Sequence, residues 1–201
     1  MTTIRAAQPV EREAAPMKWT REQYYAAGEA GVFTGRRVEL IGGTIVEMAP
    51  QKNTHAVCVG LLQGLFTRLY GDACWVRMQL PLRIKEVSEP EPDVAVVTGS
   101  PRDYDEHPDA ALLVVEASDS TLAYDRGAKA SLYAAGGIEE YWVVNLIERV
   151  LEVYRSPMAD AAAAFGAKYG ERRVLGVEES VEPMAWRGGA GGVVLVKDVL
   201  P

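Results

Sequence analysis

Apolar and polar residues along this chain recur with two different periods, and the switches between them mark out the elements. From Asn53 to Tyr70 the apolar residues Val57, Cys58, Leu61, Leu62, Leu65, Phe66 and Leu69 recur at three- and four-residue steps, which predicts an amphipathic helix packed on a sheet. Earlier, Thr20 followed by Gln23 has the pattern of a capping box and predicts a short helix to about Ala30. Arg37 to Met48 alternates Val38, Leu40, Ile45 and Val46 around Gly42-Gly43, the chemistry of a tight β-hairpin that Pro50 ends. Trp75 to Val87 alternates Val76, Met78, Leu80, Leu82 and Ile84 against Arg77, Gln79, Arg83 and Lys85. That period predicts a long half-buried strand, with a bulge or a sheet edge at Pro81. Asp93 to Val97 and Ala111 to Glu116 are short, nearly continuous apolar runs, as in buried central strands, with a polar loop from Gly99 to Pro108 between them. A helix is expected from Tyr124 or Asp125 to about Ala135, ended by Gly136-Gly137, with Lys129, Leu132 and Tyr133 on one face. Glu140 to Asn145 and Arg149 to Arg155 predict a second hairpin, and Ser156 to Tyr169 reads as an Ala-rich loop or weak helix. Short strands near Arg172 to Val177 and Val193 to Val196 close the pattern.

Composition narrows the class. A chain of 201 residues, 48% hydrophobic and 24% charged, is in the globular range, and the expected organisation is a flexible arm over residues 1–18 and one domain over residues 19–201. Met1 to Lys18 has no apolar block of the signal-peptide kind and no segment is long enough to span a bilayer, so a soluble, cytoplasmic protein is expected. Cys58 and Cys74 lack a Cys-x-x-Cys spacing, and His55 and His107 are the only histidines, so a structural zinc site lacks ligands and reduced core thiols are expected. The net charge of -7 argues against the broad basic face of a nonspecific nucleic-acid binder. Arg77, Arg83 and Lys85, and Arg126 with Lys129, are local basic positions that either line a groove or, on the plainer reading, form solvated surface.

Candidate chemistry rests on where the acids fall. Asp93 opens one central strand and Glu116 closes the next, so antiparallel pairing of these strands would project both carboxylates from one sheet edge. Two hard oxygen ligands, water and a substrate phosphate are what Mg²⁺ accepts. The competing reading is that Asp93 caps a turn and Glu116 pairs with a nearby arginine. Lys129, one helical turn beyond Asp125, is placed either to swing its ammonium toward the carboxylates or to form a surface ion pair with Asp125.

Several stretches go beyond spacing: Glu91-Pro92-Asp93-Val94, Val114-Val115-Glu116-Ala117-Ser118 with Ser120-Thr121, Tyr124-Asp125-Arg126-Gly127 followed by Lys129, Tyr133, Gly136, and Glu140-Tyr141-Trp142-Val143-Val144. Together they resemble the bacterial family of putative restriction endonucleases, a domain of unknown function within the PD-(D/E)-x-K nuclease superfamily. The likeness extends upstream through Trp19 to Tyr24, Glu39-Leu40-Ile41, Glu47-Met48-Ala49-Pro50 and His55, and downstream to Val193 to Leu200. It implies an α/β fold with a restriction-endonuclease-like core: a mixed central β-sheet flanked by helices, with additional β-hairpins. It further implies Asp93 and Glu116 as ligands of Mg²⁺ or Mn²⁺, and Lys129 as a catalytic lysine moved from the strand to the following helix. Ser118 stands where the superfamily pattern writes the strand lysine. Glu39 resembles the family's additional acid, and His55 a family position whose plainer role is a cap or packing. Gln79 is an accessory candidate whose plainer reading is solvent exposure. Gly42 and Asn145 depart from the family pattern, each standing where relatives usually carry an acid.

The leading expectation is therefore a Mg²⁺-dependent endonuclease acting on DNA. The alternatives are a non-enzymatic dimeric module on the same fold, suggested by the acidic charge, and a hydrolase of a small phosphorylated substrate. A homodimer is expected from the apolar late hairpins and from Tyr141, Trp142 and Tyr154, which core packing explains equally well.

Overall fold

Strands that are apolar on both sides need a covering layer on each face, and the chain supplies two. The computed structural model describes residues 15–184 and 192–201. Of the arm expected over residues 1–18, residues 1–14 lie outside the described residues. The elements are α1 (Arg21–Glu29), β1 (Val38–Ile41), β2 (Thr44–Glu47), α2 (Asn53–Tyr70), β3 (Cys74–Met78), β4 (Val94–Thr98), β5 (Leu113–Ser118), α3 (Leu122–Tyr124), a π-helical turn (Asp125–Lys129), α4 (Ala130–Ala135), β6 (Glu140–Asn145), β7 (Val150–Ala159), β8 (Ala167–Leu175), β9 (Ser180–Val181) and β10 (Val194–Leu195).

Six strands form the central sheet in the order β3-β4-β5-β6-β7-β8. Every neighbouring pair is antiparallel except β5 with β6, so the sheet is mixed and the chain crosses over through α3, the π turn and α4 between those two strands. β1–β2 and β9–β10 are separate antiparallel pairs.

Period-two alternation divides the sheet's faces. Val94, Val96, Val115, Ala117, Trp142 and Val144 point to one face, where Cys58, Leu62 and Phe66 of α2 cover them, together with Val194, Val196 and Val199. The Phe66 and Trp142 rings meet at 5.8 Å, tilted by 53°. On the other face Ala95, Val114, Tyr141 and Val143 pack against Leu132 and Tyr133 of α4, Ile41 of β1 and the irregular segment bearing Leu82 and Ile84. Both cysteines are buried thiols.

Several expectations are met at the level of single residues. Thr20 and Gln23 form the reciprocal capping box of α1, and α2 runs over Asn53–Tyr70 as its stripe predicts. Gly42 and Gly43, at φ 56° and 74°, make the left-handed turn between β1 and β2.

Three differ. The long strand expected from Trp75 to Val87 stops at Met78, because Gln79 takes φ 50°, Pro81 has no N–H to give a ladder, and Lys85 at φ 53° turns the chain back so that Ile84 bridges Ser88. The helix expected from Tyr124 or Asp125 begins at Leu122 and passes through the π turn. Of Ser156–Tyr169, expected as loop or weak helix, residues 160–166 are a tight loop closed by Asp160 N–H to Gly166 O at 3.0 Å, while its two ends extend β7 and β8 instead. Ala161 to Ala164 lie in that loop, and Ala159 and Ala167 flank it as the last residue of β7 and the first of β8.

Candidate active site

One end of β4 and β5 gathers the buried acids. Antiparallel pairing of Val94 with Val115 sets Asp93, the residue before β4, beside Glu116 of β5. The Asp93 N–H donates to Glu116 Oε2 at 3.3 Å, and the Ala117 N–H donates to Asp93 Oδ2 at 2.9 Å. β1 delivers Glu39 from the covering hairpin, and the first turn of α2 delivers His55. The π turn that follows β5 and the short α3 delivers Asp125 and Lys129, which are both buried.

Lys129 is the hub. Its Nζ lies 3.0 Å from Glu116 Oε1 and 3.1 Å from Glu39 Oε2. Tyr133, one turn further along the helix, donates its hydroxyl to the same Glu116 Oε1 at 2.7 Å. Glu39 Oε2 also accepts from the Glu91 N–H at 3.2 Å. Asp93 Oδ1 is held from the other side, 2.9 Å from His55 Nε2 and 3.0 Å from Gln79 Nε2. Ser118 and Thr121 both donate to Asp125 Oδ2 at 2.6 Å.

Four expectations thus change. Lys129 and Asp125 are not a surface ion pair: each is buried and bonded to other partners. Gln79 faces Asp93 rather than solvent, aimed there by its left-handed backbone. Arg77 is 2% exposed and belongs to the interior rather than to solvated surface. Tyr141, Trp142 and Tyr154 are core residues and offer no surface to a second copy. Of the pairings weighed for Glu116 and Asp93, Glu116 binds a lysine and not an arginine, and Asp93 binds across the strands rather than capping a turn.

Burial makes this constellation electrostatically tense. It pushes the Glu116 carboxyl up to about 8, with the repulsion of Asp93, Asp125 and Glu39 and against the pull of Lys129. Burial works against the Lys129 ammonium too, but Glu116, Glu39 and Asp125 more than offset it and hold the lysine charged. Burial likewise opposes ionisation of Asp93, yet its bonds to His55, Gln79 and the Ala117 N–H keep it below the ordinary carboxylate value. His55 is raised, chiefly by its hydrogen bond to Asp93. Burial raises Asp125 despite its two hydroxyl donors.

These side chains line a pocket of about 180 Å³ that also takes in Arg37, Glu47, Lys52, Asp119 and Tyr124. The donor set suits a hard divalent cation. Asp93, Glu116, Glu39 and Asp125 bring carboxylate oxygens into a volume where Lys129 is the one buried ammonium. Among the described residues no three acid, histidine or thiol side chains converge tightly enough to encage an ion alone. That is compatible with Mg²⁺, which keeps several waters and takes one or two carboxylates. The Tyr124 hydroxyl, buried in this wall with no partner among the described residues, is a further polar group facing the pocket.

Sequence reasoning did not single out Asp125, Thr121, Tyr124 or Tyr133 as site residues. The Tyr124-Asp125 pair was visible in the motif string, and the four-residue step from Lys129 to Tyr133 was the signal for the tyrosine that orients Glu116.

Comparison with known proteins follows the same lines. No curated protein sequence matches the chain. A crystal structure from Anabaena variabilis, described as a putative nuclease belonging to DUF820, superposes with a TM-score of 0.62 at 15% identity, covering 83% of this chain and 90% of that one. At that identity the likeness concerns the fold, a nuclease-like mixed α/β architecture. A family model matches residues 21–186, nearly all of the described chain from α1 through β9, and the chain belongs to that family, Uma2, described as putative restriction endonuclease.

Proposed function

We propose that the chain is a metal-dependent endonuclease that hydrolyses phosphodiester bonds in DNA, with Asp93 and Glu116 as the metal ligands, Lys129 as the catalytic cation and Glu39 as the supporting acid. The observation that carries the reading is Lys129, buried and bridging Glu39 and Glu116 beside Asp93 at the ends of two adjacent strands.

Asp93 and Glu116 would hold a Mg²⁺ or Mn²⁺ ion, which would supply Lewis-acid polarisation of a phosphoryl oxygen and lower the pKa of a water. The protein's own groups do the rest. Glu116, raised first by burial and then by the neighbouring acids, would serve such an ion as the carboxylate, a form that a nearby cation favours. His55 and Gln79 fix the Asp93 Oδ1 lone pairs, and Tyr133 fixes Glu116. Lys129 keeps a full positive charge in a desolvated setting, where it stabilises negative charge growing on the phosphoryl oxygens. Among the described residues Glu39 Oε1 has no protein donor, and it takes the proton of the attacking water. The water oxygen forms the new bond to phosphorus, the bond to the leaving sugar oxygen breaks, and solvent protonates that oxygen.

Asp93→Ala tests this directly: metal-dependent cleavage of plasmid DNA is expected to vanish while the circular dichroism spectrum persists, and unchanged cleavage overturns the assignment. Calorimetric titration with Mg²⁺ and Mn²⁺ separates it from a non-enzymatic module, which need bind neither. The net charge of -7 favours a second reading, hydrolysis of a small phosphorylated compound, which a panel of phosphomonoesters and dinucleotides run beside the plasmid distinguishes.

A further inference from the structure

A second cavity, of about 590 Å³, opens on the same sheet face as the acidic pocket, toward the β3 edge, between α1, the irregular segment after β3 and the loop around Tyr104. Period-two alternation puts Trp75, Arg77 and Gln79 on one side of that strand and its extension. Gln79 reaches Asp93, whereas Trp75 and Arg77 line this cavity. The segment from Glu89 to Asp93 separates the two spaces, Glu89 lining the cavity while Glu91 and Asp93 line the acidic pocket.

Arg77 is the anomaly there. It is 2% exposed, its guanidinium lies 4.4 Å over the Trp75 ring, and Nη2 donates to Pro81 O at 2.7 Å and lies 3.3 Å from His107 Nδ1. Nε is buried without a partner, and among the described residues no carboxylate pairs with the guanidinium. The other lining arginines are neutralised: Arg21 by Glu89 at 2.9 Å, and Arg83 by Glu106. His107, its pKa lowered chiefly by burial, adds no cation. A buried, unpaired guanidinium is costly, so a fold that keeps one beside an open cavity is poised to take its counter-charge from outside.

The cavity is too large for a lone anion and lies within the roughly 300–1,000 Å³ typical of small-molecule sites. Its walls add the rings of Trp75 and Tyr104, 5.9 Å apart, and of Tyr25, which donates to Glu89 at 2.6 Å. Asp105 and Glu22 at the rim are acceptors suited to an exocyclic amino group. From an unpaired buried cation surrounded by aromatic side chains we infer that this cavity binds a nucleoside monophosphate unit, its phosphate on Arg77 and its base against Tyr104 and Tyr25, either as a free nucleotide or as the phosphorylated end of a strand. The site stands on its own residues and does not require the acidic pocket to be catalytic.

The test is calorimetric titration of the full chain at low salt with 5′-dAMP, deoxyadenosine, inorganic phosphate and a short 5′-phosphorylated oligonucleotide. Saturable binding of 5′-dAMP in the millimolar range or tighter is expected, with the nucleoside and phosphate each weaker by about tenfold. The oligonucleotide binding more tightly than 5′-dAMP identifies a strand end as the source, and the reverse order identifies a free nucleotide. Arg77→Met, which keeps the stem over Trp75, is expected to weaken 5′-dAMP by about tenfold or more, and Tyr104→Ala, at a partly exposed position, by about threefold or more. Glu116→Gln should leave the affinity unchanged. No saturable binding of 5′-dAMP overturns the inference, as does phosphate binding as tightly as the nucleotide, wild-type affinity in both folded cavity variants, or loss of binding in Glu116→Gln.

Discussion

The two faces of the central sheet are built from the same strands and by opposite rules. On the α2 face the alternate positions of β4, β5 and β6 are apolar from Val94 to Val144, and the charges there are confined to one end, where buried Glu140 pairs with Arg155 of β7 and accepts from Trp142 Nε1. On the other face the alternate positions of β5 carry Glu116 and Ser118, and the covering elements bring Glu39, Asp125 and Lys129. Area removed from water stabilises the first face in proportion to its extent. The second holds its charges only because each has assigned partners, and replacing such a network with apolar side chains often costs nothing. The first face therefore rests on apolar burial almost alone, and the second sets a poised site beside its own apolar cluster.

Four substitutions or titrations break or sharpen that contrast. Trp142→Ala, deep in the apolar face, should destabilise by about 3–5 kcal/mol in chemical denaturation while the folded fraction keeps its metal affinity. Altered metal affinity with unchanged stability would mean the faces are not separate in function. Lys129→Met should lower cleavage by about 10²–10³-fold at saturating Mn²⁺, measured below the melting temperature, because a desolvated cation is lost from the phosphate side. Gln79→Gly should lower cleavage by about ten- to a hundredfold, through the lost bond to Asp93, with stability changed by no more than about 1 kcal/mol, since the relieved left-handed strain offsets that bond. Wild-type turnover in this variant would remove Gln79 from the site's positioning.

The smallest effect is a pH slope. Glu116 moves from an ordinary value of 4.5 to about 8 in the fold, so between those limits the native state binds the extra proton. Its stabilising contribution is complete below 4.5 and is lost as pH rises through about 8, at no more than about 1.4 kcal/mol per pH unit. His55, also raised, acts in the same direction, whereas lowered Asp93 acts only at the acid end, its contribution being lost as pH falls below 3.8. Melting temperatures of the metal-free protein should decline from pH 5 to pH 8. Glu116→Gln should flatten that decline, and an equal decline in the variant would assign it elsewhere.

How far the sequence carried the reading follows from the same physics. The α2 stripe, the Gly42-Gly43 turn and the Thr20 capping box were legible because each is a local rule satisfied within a few residues. The meeting of Asp93 with Glu116 was legible as a conditional, because antiparallel register alone fixes it once the strands are neighbours. The turn at Gln79 was only half legible: Pro81 announced a break and Gln79 was an accessory candidate, but period-two alternation ran straight through it, and what turns it toward Asp93 is its N–H and side-chain bonding to Pro92 and Asp93, contacts more than ten residues away. Arg77 was not legible, since its charge reads as surface until Trp75, Pro81 and His107 close around it.

The backbone at Gln79 bears on how this protein would respond to selection. Its φ of 50° is a conformation where glycine is at ease and a long side chain is not, yet glutamine occupies it and reaches Asp93. A screen for heat tolerance alone would reward the glycine, and a screen for turnover would restore the glutamine. Position 79 is where a laboratory lineage driven toward robustness would first part from one driven toward speed.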